Sequence, residues 1–309
     1  MSNYYSSDLQ WLGAGKETAW GTAASSTYFI PFKDCKPVDK PEIVKDEGTR
    51  GVMAGTFGAY QSIRTSTFDC GGEVFPDSIG LFLLGMFGSD TVTGTTAKTH
   101  TFSLAQTAQP PSLTLNYFNG NNERAFAGQK LEELTFKWAI KSALEWSAKS
   151  TGKISTVVGS TETVSLAATA PIMSWAFALQ LATVANLNLE SFEISLKRKS
   201  DAIHAANNSQ DPAFVNVQGM SATGKMSFAY TGDPELLLAL NNTQEAITFV
   251  GTQAGTGYGV TFQLTKAYFS DPSVSGKDHM TVDMDFEGIF NSADAGPCTI
   301  SLINSVTSY

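Results

Sequence analysis

The chain is poor in the residues that most catalytic and metal chemistry needs. Histidine occurs three times in 309 residues. His100, His204 and His279 stand apart, without the short spacing of a zinc site. Cysteine also occurs three times, as Cys35, Cys70 and Cys298. An odd count without metal spacing reads as reduced, partly buried thiols, with a Cys35–Cys70 bridge as the alternative. There is no Gly-x-Ser-x-Gly elbow, and Gly255-Thr256-Gly257-Tyr258-Gly259 lacks the Gly-Lys-Ser/Thr of a phosphate loop, so it reads as a hairpin turn. No apolar run approaches the ~18 residues of a membrane-spanning helix. No Lys/Arg-led apolar segment opens the chain, which predicts a protein made and kept in a cytosol, away from membranes. These absences leave no enzyme site and no cofactor.

Basic residues are scarce as well. Lys and Arg number 20 against 29 Asp and Glu, a net charge of −9. Residues 1–160 hold 14 basic and 15 acidic residues, whereas 161–309 hold 6 and 14. Such a balance repels phosphate and argues against a protein that grips nucleic acid.

What is abundant is apolar and small. Hydrophobic residues make up 42% against 16% charged, with 27 Gly and 20 Phe, a composition suited to sheets and turns around a sizeable core. The length fits one large or two medium domains.

One order of landmarks occurs twice. Ser66-Thr67-Phe68-Asp69-Cys70 leads to Phe75-Pro76-Asp77 and the apolar run 79–87. Later, Lys225 to Tyr230 leads to Asp233-Pro234-Glu235 and the apolar run 236–240. Each copy reads as a strand, a proline turn and a short helix. Asp77 or Ser78 could cap the first helix, expected over 76–87; Asp233-Pro234 gives the second a cap followed by proline at its first position. The hairpin 131–138/143–149 alternates strictly, with Leu134, Phe136, Trp138, Leu144, Trp146 and Ala148 inward. Laid together, 143–148 falls beside 279–284 and Gly152 meets Gly288. A tail strand over 299–306 could add an edge. Two segments, Lys36 to Tyr60 and Lys197 to Gly219, lack regular patterning and read as long excursions.

On the last long strand Asp283, Asp285 and Glu287 alternate with Val282, Met284 and Phe286. Alternate strand residues share a face, so three carboxylates line up over roughly 14 Å. A flat strand cannot wrap a calcium ion. The row is therefore either a solvated outer face or the lining of a water-filled bore.

The opening Gly15-Lys16-Glu17-Thr18-Ala19-Trp20-Gly21-Thr22, followed by Tyr28-Phe29-Ile30-Pro31-Phe32, resembles the start of major tail tube proteins of long-tailed bacteriophages. The block Phe68 to Phe87 resembles them too, and the doubled scheme is similar to the subset with two fused tube domains. The resemblance implies a mainly β protein with an N-terminal arm (1–27), a first tube-type β-sandwich (28–154), a linker (155–170) and a second β-sandwich (171–309). Each sandwich would carry a short flanking helix and a long inter-strand loop. It implies stacked rings of three chains, pseudo-hexameric, forming a conduit for double-stranded DNA. Asp283, Asp285, Glu287, Glu145, Ser147 and Lys149 would then face the lumen. Lys45, Asp46, Glu47, Arg50, Lys199, Asp201, Asn207 and Asp211 would lie on the loops reaching the adjacent ring. Implied partners are further copies of the chain, a tape measure protein, a tail terminator and a distal tail protein. The implied place is a virion tail of the non-contractile, siphovirus type, assembled in the host cytoplasm. The competing reading is a receptor- or carbohydrate-binding β-sandwich of a virion, for which Trp138 and Trp146 would have to form an exposed platform.

Overall fold

The computed structural model describes residues 5–165, 169–276 and 278–309. Residues 1–4 of the expected arm, 166–168 of the expected linker and Lys277 lie outside it. Along the first half run β1 (Trp11–Lys16), β2 (Tyr28–Phe29), β3 (Asp34–Asp46), β4 (Gly58–Glu73), α1 (Gly80–Phe87), β5 (Gly88–Thr93), β6 (Lys98–Leu104), β7 (Leu113–Phe118), β8 (Glu123–Ala139), β9 (Glu145–Gly152) and β10 (Thr156–Val157). Along the second run β11 (Phe177–Leu181), β12 (Val184–Asn186), β13 (Leu189–Ile203), β14 (Phe214–Ala229), α2 (Pro234–Leu240), β15 (Glu245–Thr252), β16 (Gly259–Gly276), β17 (Met280–Gly288) and β18 (Thr299–Asn304). The protein is mainly β, with two short helices, consistent with a β-sandwich of the tail tube type.

One antiparallel sheet runs through both halves in the order β3-β4-β9-β8-β13-β14-β17-β16. The order β3-β4-β9-β8 is repeated as β13-β14-β17-β16, and the two blocks are joined edge to edge where Glu133–Ala139 of β8 pairs with Ser191–Lys197 of β13. Strict alternation builds this sheet. In β17, Val282, Met284 and Phe286 are buried while the residues between them are not. β9 does the same with Trp146 and Ala148.

The apolar face packs on a second layer. Over the first block lie β2, β1, β7, the N-terminal part of β8, and β10. Over the second lie β12, β11, β15, the N-terminal part of β16, β18, β6 and β5. β8 and β16 thus each pass from one layer to the other, and each carries a bulge just after the crossing, between Leu131 and Glu133 and between Ser270 and Ser273. A bulge bends and twists its strand, which the change of layer requires. Between the layers Phe192 stacks on Phe249 at 4.4 Å and on Phe286 at 5.5 Å, and Phe136 meets Phe262 edge-on at 5.0 Å. Full burial of such a ring contributes about 1.5–3 kcal/mol.

Several details depart from the sequence reading. The excursions 36–60 and 197–219 are two β-hairpins: β3 continues to Asp46, β4 begins at Gly58, β13 continues to Ile203 and β14 begins at Phe214. The outer part of β3 is exposed on both faces, which erases the alternation a sequence can show, whereas β14 buries Val215 and Val217. The tail strand β18 is interior, between β16 and β6. In the stretch 155–170, β10 pairs with β8, and the Ser155 amide and hydroxyl both donate to Asp39, at 2.8 and 2.6 Å. The arm holds β1, whose glycines are dictated by crowding: a Cβ on Gly13 would lie 2.0 Å from the Ser26 hydroxyl, and one on Gly15 2.2 Å from the Ser25 carbonyl. α1 starts at Gly80 rather than Pro76, and its N-cap residue is Ile79, with no side-chain cap. Asp233 does precede α2, but its carboxylate accepts from the Tyr230 hydroxyl at 2.6 Å instead of capping.

The three cysteines are free. Cys35 and Cys70 sit directly opposite each other on β3 and β4. A hydrogen bond with Cys35 and burial together hold the Cys70 thiol well above its ordinary pKa.

Candidate assembly surface

The other face of the eight-stranded sheet is mostly polar, with Val38 on the edge strand β3 an exception. Cross-strand register lines its charges up in rows. One row reads Lys36, Asp69, Lys149, Glu133, Lys197 across five strands, alternating in sign at every step. Glu133 bonds both flanking lysines, at 3.1 Å to Lys149 and 3.3 Å to Lys197. Burial alone would raise its pKa, yet these two hydrogen bonds outweigh burial and hold the carboxyl below its usual value. A second row reads Glu73, Glu145, Lys137, Glu193, Lys225, Asp285. Lys137–Glu193 closes at 3.1 Å and Lys225–Asp285 at 3.4 Å. The like-charged neighbours Glu73 and Glu145 are bridged by Lys33 at 3.0 and 2.8 Å. Opposed charges on facing strands favour this register over a slipped one.

All six residues assigned to a lumen from the sequence share this face. Glu145, Ser147 and Lys149 lie on β9, and Asp283, Asp285 and Glu287 on β17. The face is not uniformly acidic. It is a mosaic of ion pairs with a surplus of carboxylate at the β17 end. Asp283 stands between Ser227 and Ser273 with no cationic partner among the described residues. Glu287 accepts from the Tyr268 hydroxyl at 2.5 Å, which raises the phenol's pKa. The sequence reading missed the partners Lys33, Lys137, Glu193, Lys197 and Lys225. The alternation of β8 carried a signal for Glu133 and Lys137; the pairing of β8 with β13 had none.

Both ends of this sheet are open. Among the described residues β3 pairs only with β4, and the C-terminal part of β16, from Tyr268 to Gly276, pairs only with β17. β3 carries Pro37 and Pro41. The Arg64 amide donates to the Gln210 carbonyl at 3.0 Å, away from β3. Its partner Pro41 therefore turns its nitrogen to the free edge, and so does Pro37, four residues earlier. The prolines cost no bond inside the chain and remove two donors from the exposed edge.

The residues assigned to ring-to-ring loops fall on the two hairpins. Lys45 and Asp46 end β3, Glu47 and Arg50 lie at its tip, and Arg50 pairs with Asp46. Lys199 and Asp201 lie in the outer part of β13, with Asn207 and Asp211 in the turn before β14. The two hairpins touch. Arg64 of β4 reaches Asp211 at 2.6 Å, and the Gln210 side chain donates to the Gln61 carbonyl at 3.1 Å. Arg64→Ala should loosen the second hairpin against the first, leaving the backbone bond to Gln210 and the Gln210–Gln61 bond. Hydrogen exchange would show faster amides over 204–213, with the amides of β8 and β9 unchanged.

The remaining candidates are structural. His100 is buried between Asp90 at 2.8 Å and the Val306 carbonyl at 2.9 Å, and His279 faces Glu190 at 2.6 Å. Trp138 and Trp146 are 7% and 3% exposed, inside the core, so they form no platform for a sugar. Among the described residues no group of three or more His, Cys, Asp or Glu is placed to hold a metal ion, and no helix is long and apolar enough to cross a membrane.

A phage tail tube protein family matches residues 10–288. The chain belongs to that family. A search of curated proteins returns no match to it. Membership gives the polar sheet face and the open edges a context: tail tube proteins are structural proteins that self-assemble in a virion tail.

Proposed function

We propose that this tail tube protein closes into rings of three copies, and that the stacked rings form the hollow conduit through which double-stranded DNA leaves the virion. The observation that carries the proposal is the uninterrupted eight-stranded sheet, mostly polar along one face and, among the described residues, unpaired at both edges. Three such sheets make twenty-four strands. At about 4.8 Å between strands and a tilt near 40–45°, the circumference is about 150–160 Å and the backbone diameter about 50 Å. Side chains narrow that to about 40 Å, against about 20 Å for a duplex.

In this arrangement the two blocks of the sheet are the inner walls of two tube domains, 28–154 and 171–309. Asp283, Asp285, Glu287, Glu145, Ser147 and Lys149 face the lumen. Ion-paired lysines are already neutralised by carboxylates, so they offer phosphates little counter-charge, and the acidic surplus repels the duplex within a Debye length of about 8 Å. The hairpin tips, with Glu47, Arg50, Asn207 and Asp211, reach the adjacent ring. Ring closure removes the open edges, and stacking is a non-closing contact that yields a filament. The tail is of the non-contractile type, the tube assembles in the host cytoplasm, and the tape measure, terminator and distal tail proteins meet the lumen and the two ends. No catalysis is involved.

Electron microscopy of the purified protein tests this directly. Hollow rods whose rings have three-fold symmetry are expected. Dispersed monomers that bind glycans would favour the receptor-binding reading instead.

A further inference from the structure

The seam inside the chain is a template for the seam between chains. This inference rests on the tube reading above and adds a register to it. On one side of the internal seam, Thr135 of β8 faces Ser147 of β9. The corresponding residue of the second block is Ser273 of β16, which faces Asp283 of β17. On the other side, Ser195 of β13 faces Thr223 of β14, which faces Glu287 of β17. The corresponding residue of the first block is Val38 of β3, which faces Thr67 of β4, which faces Thr151 of β9. The two correspondences agree: Ser147 and Thr151 lie four residues apart, as do Asp283 and Glu287, and they set Gly152 against Gly288.

Inside the chain Thr135 pairs with Ser195, their hydroxyls 2.7 Å apart. We infer that in the ring Ser273 of one copy pairs antiparallel with Val38 of the next. The flanking pairs follow. Glu133 faces Lys149 and the corresponding Asp285 faces Ser270, so Lys197 facing Glu133 inside the chain becomes Lys40 facing Ser270 between chains, and the adjoining bulge residue Asp271 is the carboxylate beside Lys40. Lys40 and Asp271 are exposed, neither has an ion-pair partner among the described residues, and Asp271 lies in the same polar recess as Ser273 and Asp285.

Two independent observations support a second copy as the occupant of this edge. The first is the helices. α1 packs on β8, beside the sealed seam, and every one of its residues is buried; Arg198 of β13 donates across the seam to the Met86 carbonyl at 2.9 Å. α2 packs in the same way on β16, beside the open edge, and leaves Leu237 46% and Leu240 64% exposed. The first helix receives a side chain from across its closed seam, and its counterpart beside the open edge keeps two bare leucines that a neighbouring copy could meet. The second is the prolines. With Pro37 and Pro41 turned to the edge, Val38 and Lys40 occupy non-hydrogen-bonded positions, where facing side chains come closest. The edge ladder lacks two donors, so side-chain contacts, above all Lys40 beside Asp271, must select the register.

The test is disulfide trapping in assembled tubes, in a Cys35→Ser background. Val38→Cys combined with Ser273→Cys should give covalent trimers on non-reducing gels after mild oxidation. Val38→Cys with Ser275→Cys, slipped by two residues, should give at most a tenth as much. Lys40→Glu and Asp271→Lys should each raise the concentration needed for ring formation about tenfold, and the double exchange should restore it. Trapping by the slipped pair alone, or no effect of either charge reversal, overturns the register while hollow tubes still stand. A wild-type protein that never forms rings or tubes overturns the tube reading itself.

Discussion

Replacing residues 47–57 by Asn-Gly is expected to leave intact rings that no longer stack. The replacement spares the base of the hairpin, because Asp46 and Gly58 face each other across it. What it removes is an exposed tip containing Met53, which is 110% exposed, and Val52, 61%. Val44 and Tyr60, cross-strand partners at 56% and 63%, and Ile43 on the opposite face at 56%, add further exposed apolar side chains down the hairpin. A tip that only had to be soluble would not carry such side chains. Each one buried against a neighbouring ring contributes about 1.5–3 kcal/mol, less the entropy of ordering it. Two or three per chain, repeated around a ring, decide whether rings stack at all. Tube lengths measured by negative-stain microscopy should collapse to single rings. Tubes of normal length from this variant would show that stacking uses another surface. The wider deletion of Val44 to Ala59 should behave in the same way.

The second large effect is on stability, and it lies in the segment that carries the family resemblance. Glu17 is 7% exposed, and its carboxylate collects four donors: the Gly21 amide at 2.7 Å, the Ser112 hydroxyl at 2.6 Å, the Thr114 hydroxyl at 2.8 Å and the Gly128 amide at 2.7 Å. It ties the turn after β1 to β7 and β8. Glu17→Ala strands these donors in a site closed to water, which costs about 3–5 kcal/mol. Glu17→Gln keeps one acceptor oxygen but sets an NH2 group against the remaining donors, so an intermediate loss is expected. The neighbouring Lys130 makes the negative charge matter further. Burial lowers its pKa to about 8, and Glu17 pulls the other way. Urea denaturation should move to a clearly lower midpoint for Ala, with a smaller shift for Gln. A midpoint within about 0.5 kcal/mol of wild type would mean that water replaces the carboxylate.

The legible parts of this fold are those in which burial alternates. β9, β17 and the C-terminal end of β8 bury one face more than the other, and period-two patterning located them together with Glu145, Ser147, Lys149, Asp283, Asp285 and Glu287. β1 and the hairpins escaped for opposite reasons. Leu12 to Gly15 are all buried, so no alternation is left to see, and glycine stands where Ser25 and Ser26 crowd the strand. The outer part of β3 is exposed on both faces, and the strand contains two prolines, which read as strand breakers; at an edge they break nothing. Long-range pairing was beyond reach for a different reason. The match of Leu302 with His100 and of Phe136 with Ile194 depends on which edges remain open once the local hairpins have formed. Local composition does not record that. The ion-pair rows inherit the same gap, because half of each row comes from strands that only the fold brings together.

The interior place of β18 bears on synthesis. α1 is closed over by Tyr309, whose ring sits against Gly80, and by Asn304, whose amide donates to the Pro76 carbonyl at 2.8 Å. His100 likewise waits for the Val306 carbonyl, 206 residues further on. At typical translation rates that is a delay of roughly 10–40 s, during which α1 lacks its C-terminal cover and His100 its second partner. A ribosome that stalls before residue 299 therefore releases a polypeptide whose first half is unfinished and adhesive, a target for chaperones and proteases.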